Sequence, residues 1–269
     1  PYISTGLNEN KFGVDLQTAK KMYLYAKNSP YLEPVGIHSH IGSQITDIKP
    51  VIEAAKIVAN LTRELKAAQI DIKFFDVGGG IGIVYGDESE PDLYEYAQGI
   101  LANLSGLDVT VVCEPGRFIV GNAGYFLTSV LYEKFNKNKR FVVVDGAMND
   151  LIRPSLYQAW HKIFAISGGK TLCECKTEQL RELKFSPCDV VGPICESGDF
   201  LAKDRNLPPL NPGDLVVIKS AGAYGFAMSS NYNTRGRAAE VAVKGGEDFL
   251  IRRRESFEDV VALEREFLG

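Results

Sequence analysis

Short apolar runs alternate with longer segments of helical periodicity through the first half of this chain. The helical segments, at 16–28, 48–68 and 92–104, repeat apolar residues at i, i+3, i+4 and i+7. The runs between them, "VGIHSH", "FFDVGGG" and "LDVTVVC", are typical of strands, and "KFGVD" at 11–15 would be an earlier strand. Because candidate functional residues follow these strands, the pattern predicts an α/β fold, a (β/α)8 TIM-type barrel that is incomplete in this chain.

The second half predicts a mostly antiparallel β-sandwich or β-barrel domain. Its strand-like segments lie at 125–135, 139–148, 214–226, 237–243 and 248–254. We place the domains at 1–126 and 127–269, without a Ser/Gly/Pro linker, and expect them to be closely joined. The tail at 255–268 is typical of an amphipathic helix.

Composition favours a soluble enzyme. The 269 residues are 45% hydrophobic and 24% charged, with a net charge of −4. The chain therefore lacks the excess of positive charge that would attract nucleic acid. No apolar run reaches membrane-spanning length, and no signal peptide is visible, so we expect neither nucleic acid nor membrane as a partner. Five cysteines without a C-x-x-C pair predict a reducing, cytoplasmic location: Cys113, Cys173, Cys175, Cys188 and Cys195.

The segment "CEPGR" delivers an acid and an arginine onto a Pro/Gly turn directly after a β-branched run. A carboxylate at Glu114 can face a ring nitrogen, while the guanidinium of Arg117 binds an anion. A surface salt bridge that caps a strand would use the same two residues, so this segment alone leaves both interpretations open.

Two further strand ends carry ligand-binding residue types. Gly78, Gly79 and Gly80 can bring backbone N–H groups around a phosphate, although the spacing is not G-x-G-x-x-G and a plain tight turn is the alternative. In "HSHIGS", His40 can lie flat against a ring while Ser43 binds a phosphate. A core histidine pair and a two-histidine metal site are the alternatives, but no HExxH or third ligand supports the metal, and we predict none.

Seven segments together resemble one enzyme family. They are "NKFG", "HSHIGSQ", "DVGGGIG", "CEPGR", "DGAMNDLIRPSLY", "GPICESGD" and "GAYGFAMSSNYN", and they occur in family order from residue 2 to about 243. The chain is similar to the diaminopimelate decarboxylases, which are fold-type-III pyridoxal 5'-phosphate (PLP) decarboxylases. The resemblance implies PLP as cofactor, decarboxylation of meso-2,6-diaminopimelate to L-lysine and CO2 in lysine biosynthesis, and a homodimer with shared active sites.

One family feature is missing from the sequence. The family holds PLP on a lysine in a Y-A-x-K-A-N-like strand end, and Tyr25-Ala26-Lys27-Asn28 only imitates it, at the end of a helical segment. Pro1 matches an internal point of the family. We therefore expect the sequence to lack about the first third of the protein, including the cofactor lysine.

By resemblance, Glu114 holds the proton on the PLP ring nitrogen and His40 stacks on the ring. The resemblance assigns the cofactor phosphate to Ser43, Gly78, Gly79, Gly80, Gly116, Arg117 and Tyr224. Without the resemblance, Tyr224 in "AGAYGFAM" would be an aromatic filler in a strand. Replacing Glu114 with Gln should then cost orders of magnitude in turnover while the cofactor stays bound.

The substrate carries an amino-acid group at each end, so the resemblance also implies a distal clamp. Arg117, Arg153, Tyr157 and Tyr224 would bind substrate, and Glu196 would take the distal ammonium group. Arg153 and Tyr157 lie four residues apart, on one face if a helical turn follows Pro154, and a guanidinium binds carboxylate bidentately. An exposed surface turn is the alternative for these residues.

Cys195 in "CESGD" is implied to return a proton after CO2 leaves, since a thiol is mostly protonated at neutral pH yet gives its proton up readily. The other cysteines are expected to be inert. In this family the "CESGD" loop reaches into the neighbouring subunit.

Two other function classes stay open. One is a related enzyme: carboxynorspermidine, ornithine or arginine decarboxylase, or an amino-acid racemase. A diamine chain without a second carboxylate would need acids where this chain has Arg153. The other class is a noncatalytic PLP carrier or partner subunit, suggested by the missing lysine.

Overall fold

The computed structural model describes residues 11–172 and 184–267. The chain divides into two compact units, Pro1–Ile119 and Val120–Gly269. This division falls just before the boundary expected at residue 126. Cys173 and Cys175 lie outside the described residues. Within the described ranges, no helix is both long and apolar enough to cross a bilayer.

The first unit is built from parallel β/α repeats. Its described strands are β1 (Gly36–His38), β2 (Phe74–Asp76) and β3 (Thr110–Val112), in the order β1-β2-β3. Both pairings are parallel, with His38 opposite Asp76 and Asp76 opposite Val112. The helices are α1 (Leu16–Asn28), α2 (Lys49–Ala67), α3 (Leu93–Asn103) and the short α4 (Arg117–Val120). The expected β/α alternation is confirmed.

Local sequence explains where these helices begin. The Asp92 side chain accepts hydrogen bonds from the backbone of Tyr94 and Glu95 and so caps α3. Helix α2 has a proline in its first turn, where the missing N–H costs nothing. Its apolar face packs into a core around Phe75, which is fully buried. Burying a side chain of this size contributes about 1.5–3 kcal/mol.

The strand expected at 11–15 is wrong. Residues 11–15 contain no strand; instead, the Asp15 carboxylate caps α1 by accepting from the backbone of Gln17 and Thr18. Gly13 has a φ of 67°, in the left-handed region that breaks an extended chain. The apolar residues Phe12 and Val14 are more than half exposed.

The second unit contains a seven-stranded, mostly antiparallel sheet among its described residues. The strand order is β7-β6-β10-β4-β5-β8-β9, with only β5 and β8 parallel. The strands are β4 (Phe126–Asn136), β5 (Lys139–Val144), β6 (Ile163–Ser167), β7 (Lys170–Leu172), β8 (Ser186–Val191), β9 (Phe200–Leu207) and β10 (Leu215–Ile218). A separate hairpin pairs β11 (Glu240–Lys244) with β12 (Glu247–Arg252). The expected antiparallel β domain is confirmed.

Two expectations in this unit need correction. The segment at 214–226 is a strand only over β10, because the chain then enters a left-handed turn at Ser220, where φ is 57°. The tail forms two short helices, α6 (Phe257–Val260) and α7 (Ala262–Arg265), instead of one. A capping box between Ser256 and Asp259 fixes the start of α6. The turn expected after Pro154 is α5 (Arg153–Tyr157).

Candidate active site

The carboxyl ends of β1, β2 and β3 bring three loops into close backbone contact. A β-carbon on Gly79 would overlap the carbonyl oxygen of Glu114, and one on Gly80 would overlap the carbonyl oxygen of Gly42. The Glu114 amide donates to the Gly78 carbonyl at 2.9 Å. Glycine is therefore required here by the approach of neighbouring backbone.

His40 and the glycine bend are joined directly. The Gly79 amide donates to His40 Nδ1 at 3.2 Å, so this nitrogen is an acceptor and the ring proton of a neutral imidazole resides on Nε2. The contact fixes the plane of the imidazole ring at the mouth of the sheet. A held, flat ring is what stacking on a planar ligand requires.

Glu114 is paired with a residue whose role the sequence did not indicate. His38 Nε2 lies 3.1 Å from Glu114 Oε2. His38, Asp76 and Glu114 each bring one donor atom to within 4.8 Å of the others. His40 is not a member of this cluster, so the two histidines do not form the metal-binding pair that was one alternative.

Arg117 is buried beneath the loops. Its side chain is 5% exposed, Nη1 donates to the Tyr85 hydroxyl, and Nη2 donates to Ser43 Oγ at 3.2 Å. The guanidinium also lies 5.7 Å from the centre of the Tyr85 ring. A buried cation held by two hydroxyl groups is an anion site in which Ser43 and Arg117 act together. Tyr85 had no recognisable signal in the sequence.

The glycine amides are already engaged. The Gly78 amide donates to Asp76 Oδ1 at 2.8 Å, as the Gly79 amide does to His40. A phosphate bound to Gly78 or Gly79 would compete with these side chains. Gly116, just before α4, is exposed, and its carbonyl accepts from Ile119.

A wide cleft of about 1890 Å³ opens onto the strand ends. Its lining includes His38, His40 and Glu114, together with apolar residues of α1 such as Met22. Lys27, the only imitation of a cofactor lysine, is exposed at the end of α1 and donates to the carbonyl oxygen of Ala68 at 2.7 Å. Lys27 is therefore engaged in tying α1 to the end of α2.

In the second unit, α5 presents Arg153 and Tyr157 together. Arg153 is 6% exposed, and its guanidinium lies 5.9 Å from the centre of the Tyr157 ring. Arg153 Nε lies 3.4 Å from Nε2 of His161, which is 1% exposed. His161 Nδ1 lies 2.9 Å from the carbonyl oxygen of Lys219, so Nδ1 carries the proton and Nε2 accepts. The exposed-turn alternative for Arg153 is wrong.

The "CESGD" loop is anchored from below and exposed at its tip. The Asp199 carboxylate accepts from the amides of Met148 and Ile194, each at 2.7 Å, and burial raises the pKa of Asp199 above its ordinary value. Cys195 and Glu196 at the tip are exposed. Glu196 Oε1 accepts from the Gly198 amide at 3.2 Å.

Ser155 connects this loop to α5. Its hydroxyl donates to the carbonyl oxygens of Gly198 and Phe200, at 2.5 and 3.3 Å. The "RPSLY" and "CESGD" segments are therefore neighbours within the second unit. Both segments carry recognisable sequence motifs, but the link through Ser155 has no sequence signal.

Tyr224 does not lie in a strand. Its φ is 57°, which is strained for an aromatic residue, and its side chain is 42% exposed. The strand-filler alternative for Tyr224 is therefore wrong. A strained, exposed aromatic side chain on a glycine-rich loop is typical of a ligand contact.

Comparison with known proteins decides the family. A family model described as the pyridoxal-dependent decarboxylase, C-terminal sheet domain, matches residues 22–222. The chain belongs to the pyridoxal-dependent decarboxylases. Membership of this family confirms the resemblance found in the sequence.

Relatives of this family member are close in sequence and structure. The diaminopimelate decarboxylase of Campylobacter jejuni is 62% identical over 269 residues, which cover 100% of this chain and 64% of that protein. The Helicobacter pylori enzyme of the same name is 54% identical over 268 residues, with the same two shares. The crystal structure of diaminopimelate decarboxylase from Helicobacter pylori complexed with L-lysine matches with a TM-score of 0.88 at 53% identity, over 100% of this chain and 64% of that one. The chain thus spans about 64% of the length of these relatives.

The residues of the first unit fit the cofactor of the family. Glu114 offers a carboxylate, His40 a flat ring bonded to the Gly79 amide, and Ser43 with Arg117 a buried anion site, while the glycines allow the loops to approach one another closely. Each of these groups matches one part of PLP: ring nitrogen, ring face and phosphate. The predicted cofactor residues of this unit therefore converge on one place. Cys195, Glu196, Arg153, Tyr157 and Tyr224 belong to the second unit.

Proposed function

We propose that this chain forms part of an enzyme that decarboxylates meso-2,6-diaminopimelate to L-lysine and CO2 with PLP. The observation that carries the proposal is the position of Glu114, which lies at the end of β3 against Gly79 and beside the histidines of the β1 loop. Relatives named for this activity, at 62% and 54% identity, support it.

Bound PLP supplies an electron sink for the electron pair that the departing carboxyl group leaves behind. Glu114 holds the proton at the ring nitrogen, because a carboxylate within hydrogen-bond reach favours the protonated, positively charged ring. His40 would stack on the cofactor ring, and its hydrogen bond from the Gly79 amide orients the imidazole. These two residues orient the cofactor and set its charge.

Arg117 and Ser43 hold the phosphate. A buried guanidinium and a hydroxyl 3.2 Å apart provide charge and direction together. Further groups are proposed to bind the phosphate. They are the backbone amides of Gly78, Gly79, Gly80, Gly116 and Arg117, and Tyr224. Since the Gly78 and Gly79 amides have partners already, Ser43 and Arg117 contribute the most to phosphate affinity.

Arg153 and Tyr157 bind the distal carboxylate of the substrate, and Arg117 and Tyr224 assist. The buried Arg153, set against Tyr157, offers a planar cation that suits a carboxylate and not the amine of a diamine substrate. Glu196 takes the distal ammonium group. Cys195, at the exposed tip of the loop, gives a proton to the carbon that has lost CO2.

We also propose that the protein is a cytoplasmic homodimer with shared active sites. The exposed tip with Cys195 and Glu196 is suited to reach a second subunit, and Cys113, Cys188 and Cys195 carry no disulfide. Mixing a Cys195→Ala protein with a Glu114→Gln protein tests the shared site. Subunit exchange should restore part of the activity, whereas sites formed within one subunit would stay inactive in the mixture.

The activity is tested on the full-length protein with its cofactor. Lysine and CO2 should form in equal amounts from meso-diaminopimelate, and Glu114→Gln should lower kcat about 100-fold or more while PLP stays bound. Glu90→Gln, an exposed acid of the same unit, is the matched control and should keep normal kcat. A Glu114→Gln enzyme with near-normal kcat would overturn the proposal.

A related decarboxylase is the alternative that substrate competition decides. Ornithine, arginine and carboxynorspermidine are offered beside meso-diaminopimelate to the same enzyme. We expect turnover of diaminopimelate alone, and Arg153→Met should raise KM for it, because only this substrate carries the distal carboxylate. Faster turnover of a diamine amino acid would favour the related enzymes, and no turnover with PLP bound would favour a noncatalytic subunit.

A further inference from the structure

His38 and Glu114 meet across the end of the sheet of the first unit. His38 ends β1 and Glu114 follows β3, and β2 lies between these strands. Strands two apart in a sheet are separated by about 9.6 Å, so the two side chains must both reach over the end of β2. Their 3.1 Å contact therefore joins two strands that are not neighbours in the sheet. Pairing of adjacent strands alone does not produce it.

The Glu114 carboxylate needs such a partner. Its side chain is 53% exposed, so without a fixed contact several rotamers would be open to it. Among the described residues, the Glu114 side chain forms its hydrogen bond with His38 through Oε2. Oε1 is the oxygen that remains for a ligand.

The carboxylate of Asp76 makes the contact from His38 to Glu114 more important for the orientation of Glu114. The donor atoms of Asp76, His38 and Glu114 all lie within 4.8 Å of one another, so two carboxylates share a small volume. Like charges repel at this distance, and repulsion would turn Glu114 away from the cluster. An N–H of His38 aimed at Glu114 opposes that rotation, because an ionised carboxylate only accepts hydrogen bonds.

We infer that His38 is a positioning residue: it holds Glu114 Oε2 so that Oε1 faces the ring nitrogen of the cofactor. This inference rests on the proposed role of Glu114. His38 acts through Glu114 and needs no contact with substrate or cofactor. Replacing His38 should therefore reduce protonation of the cofactor ring nitrogen without changing substrate affinity.

The test uses full-length holoenzyme loaded with PLP that carries ¹⁵N in its ring. The ¹⁵N chemical shift reports whether the ring nitrogen is protonated, and kcat and KM for meso-diaminopimelate are measured in parallel. The Glu114→Gln variant gives the reference ¹⁵N chemical shift for a cofactor ring without a carboxylate at its nitrogen. His38→Phe should move the shift toward that value and lower kcat about 10- to 100-fold, as loss of an orienting partner does elsewhere, with KM within about twofold.

Rescue separates positioning from packing. The Gln amide of His38→Gln can place an N–H near the position of Nε2, so the ¹⁵N shift and most of kcat should return toward wild type. His38→Asn has a shorter amide that cannot reach Glu114 and should behave as His38→Phe does. If His38→Phe fails to fold, His38→Asn takes its place.

The possible outcomes distinguish the positioning role of His38 from the proposed role of Glu114. If Glu114→Gln moves the ¹⁵N shift but His38→Phe and His38→Asn leave it at the wild-type value, the inference about His38 is wrong and the role of Glu114 stands. If Glu114→Gln does not move the shift, both are wrong. Equal losses in His38→Gln and His38→Phe would show a packing role and would also contradict the inference.

Discussion

The backbone of Gly79 lies so close to the carbonyl oxygen of Glu114 that any β-carbon on residue 79 would overlap it. This contact joins the loop after β2 to the loop after β3. It sets the spacing between the Glu114 backbone and the glycine bend. The close approach of these two loops at the proposed cofactor site therefore depends on the absence of a side chain at residue 79.

Gly79→Ala should disturb both loops. The overlapping atom is backbone and cannot rotate away, so we expect the free energy of unfolding to fall by about 1–3 kcal/mol. PLP affinity should fall as well, because Glu114 is displaced. Urea unfolding and equilibrium titration of the full-length protein with PLP measure the two effects.

Gly106→Ala is the control for that variant. Gly106 has a φ of 77° with nothing near its β-carbon position, so alanine there brings backbone strain of about 1 kcal/mol without overlap. Its PLP affinity should stay at the wild-type value. Equal PLP affinity in both variants would contradict the importance of the Gly79 contact.

Arg117→Lys should weaken cofactor binding although it keeps the charge. Lysine cannot donate to Tyr85 and Ser43 at once from a planar group. We expect PLP affinity to fall about tenfold, equivalent to about 1.4 kcal/mol. Arg63→Lys, at an exposed arginine that donates to the Asn103 carbonyl, should leave PLP affinity unchanged. An unchanged dissociation constant in Arg117→Lys would contradict the anion site.

His161→Phe should act on substrate through Arg153. The buried imidazole lies between the Lys219 carbonyl oxygen and Arg153 Nε, and phenylalanine restores neither contact. We expect KM for meso-diaminopimelate to rise about tenfold or more with a smaller change in kcat, since the group that moves binds the substrate far from the reacting carbon. Steady-state kinetics check this. A fall in kcat alone would place Arg153 outside the distal clamp.

Because Cys188 is buried, we expect the free energy of unfolding to fall in alkaline solution. Burial raises the pKa of its thiol from 9.0 to about 11. Between these values the unfolded chain loses the proton while the folded chain keeps it, so the free energy of unfolding falls as pH rises, by about 1.4 kcal/mol per unit and roughly 3 kcal/mol in all. Below pH 9 this group contributes no pH dependence.

Cys188→Ala isolates that effect. Its cavity lowers stability by the same amount at every pH, but the slope between pH 9 and 11 should be shallower than in wild type. Tyr96, whose pKa burial raises to about 12, titrates in both proteins and cancels in the comparison. Parallel stability curves for the two proteins would show that Cys188 does not titrate as described.

Local patterns predicted the elements that depend on local physics. The helical period gave α1 its observed bounds, Leu16–Asn28, and the β-branched runs marked β1, β2 and β3. The strand predicted at 11–15 is wrong because the Asp15 cap of α1 and the left-handed φ of Gly13 outweigh strand propensity.

The site was predicted by residue type but not by partner. Glu114, His40 and Arg117 were singled out because acid, imidazole and guanidinium at strand ends suit a charged ring with a phosphate. The bond from His38 to Glu114 joins residues far apart in sequence, and no local pattern indicates it. Side-chain contacts across a sheet depend on register and rotamers, which sequence alone does not supply.

A crystal structure of the full-length protein with PLP bound would test the proposed cofactor site. We predict the ring nitrogen within hydrogen-bond distance of Glu114, the imidazole of His40 flat against the ring, and the phosphate at Ser43 and Arg117. Electron density for the cofactor with Glu114 or Arg117 out of contact with it would contradict the account.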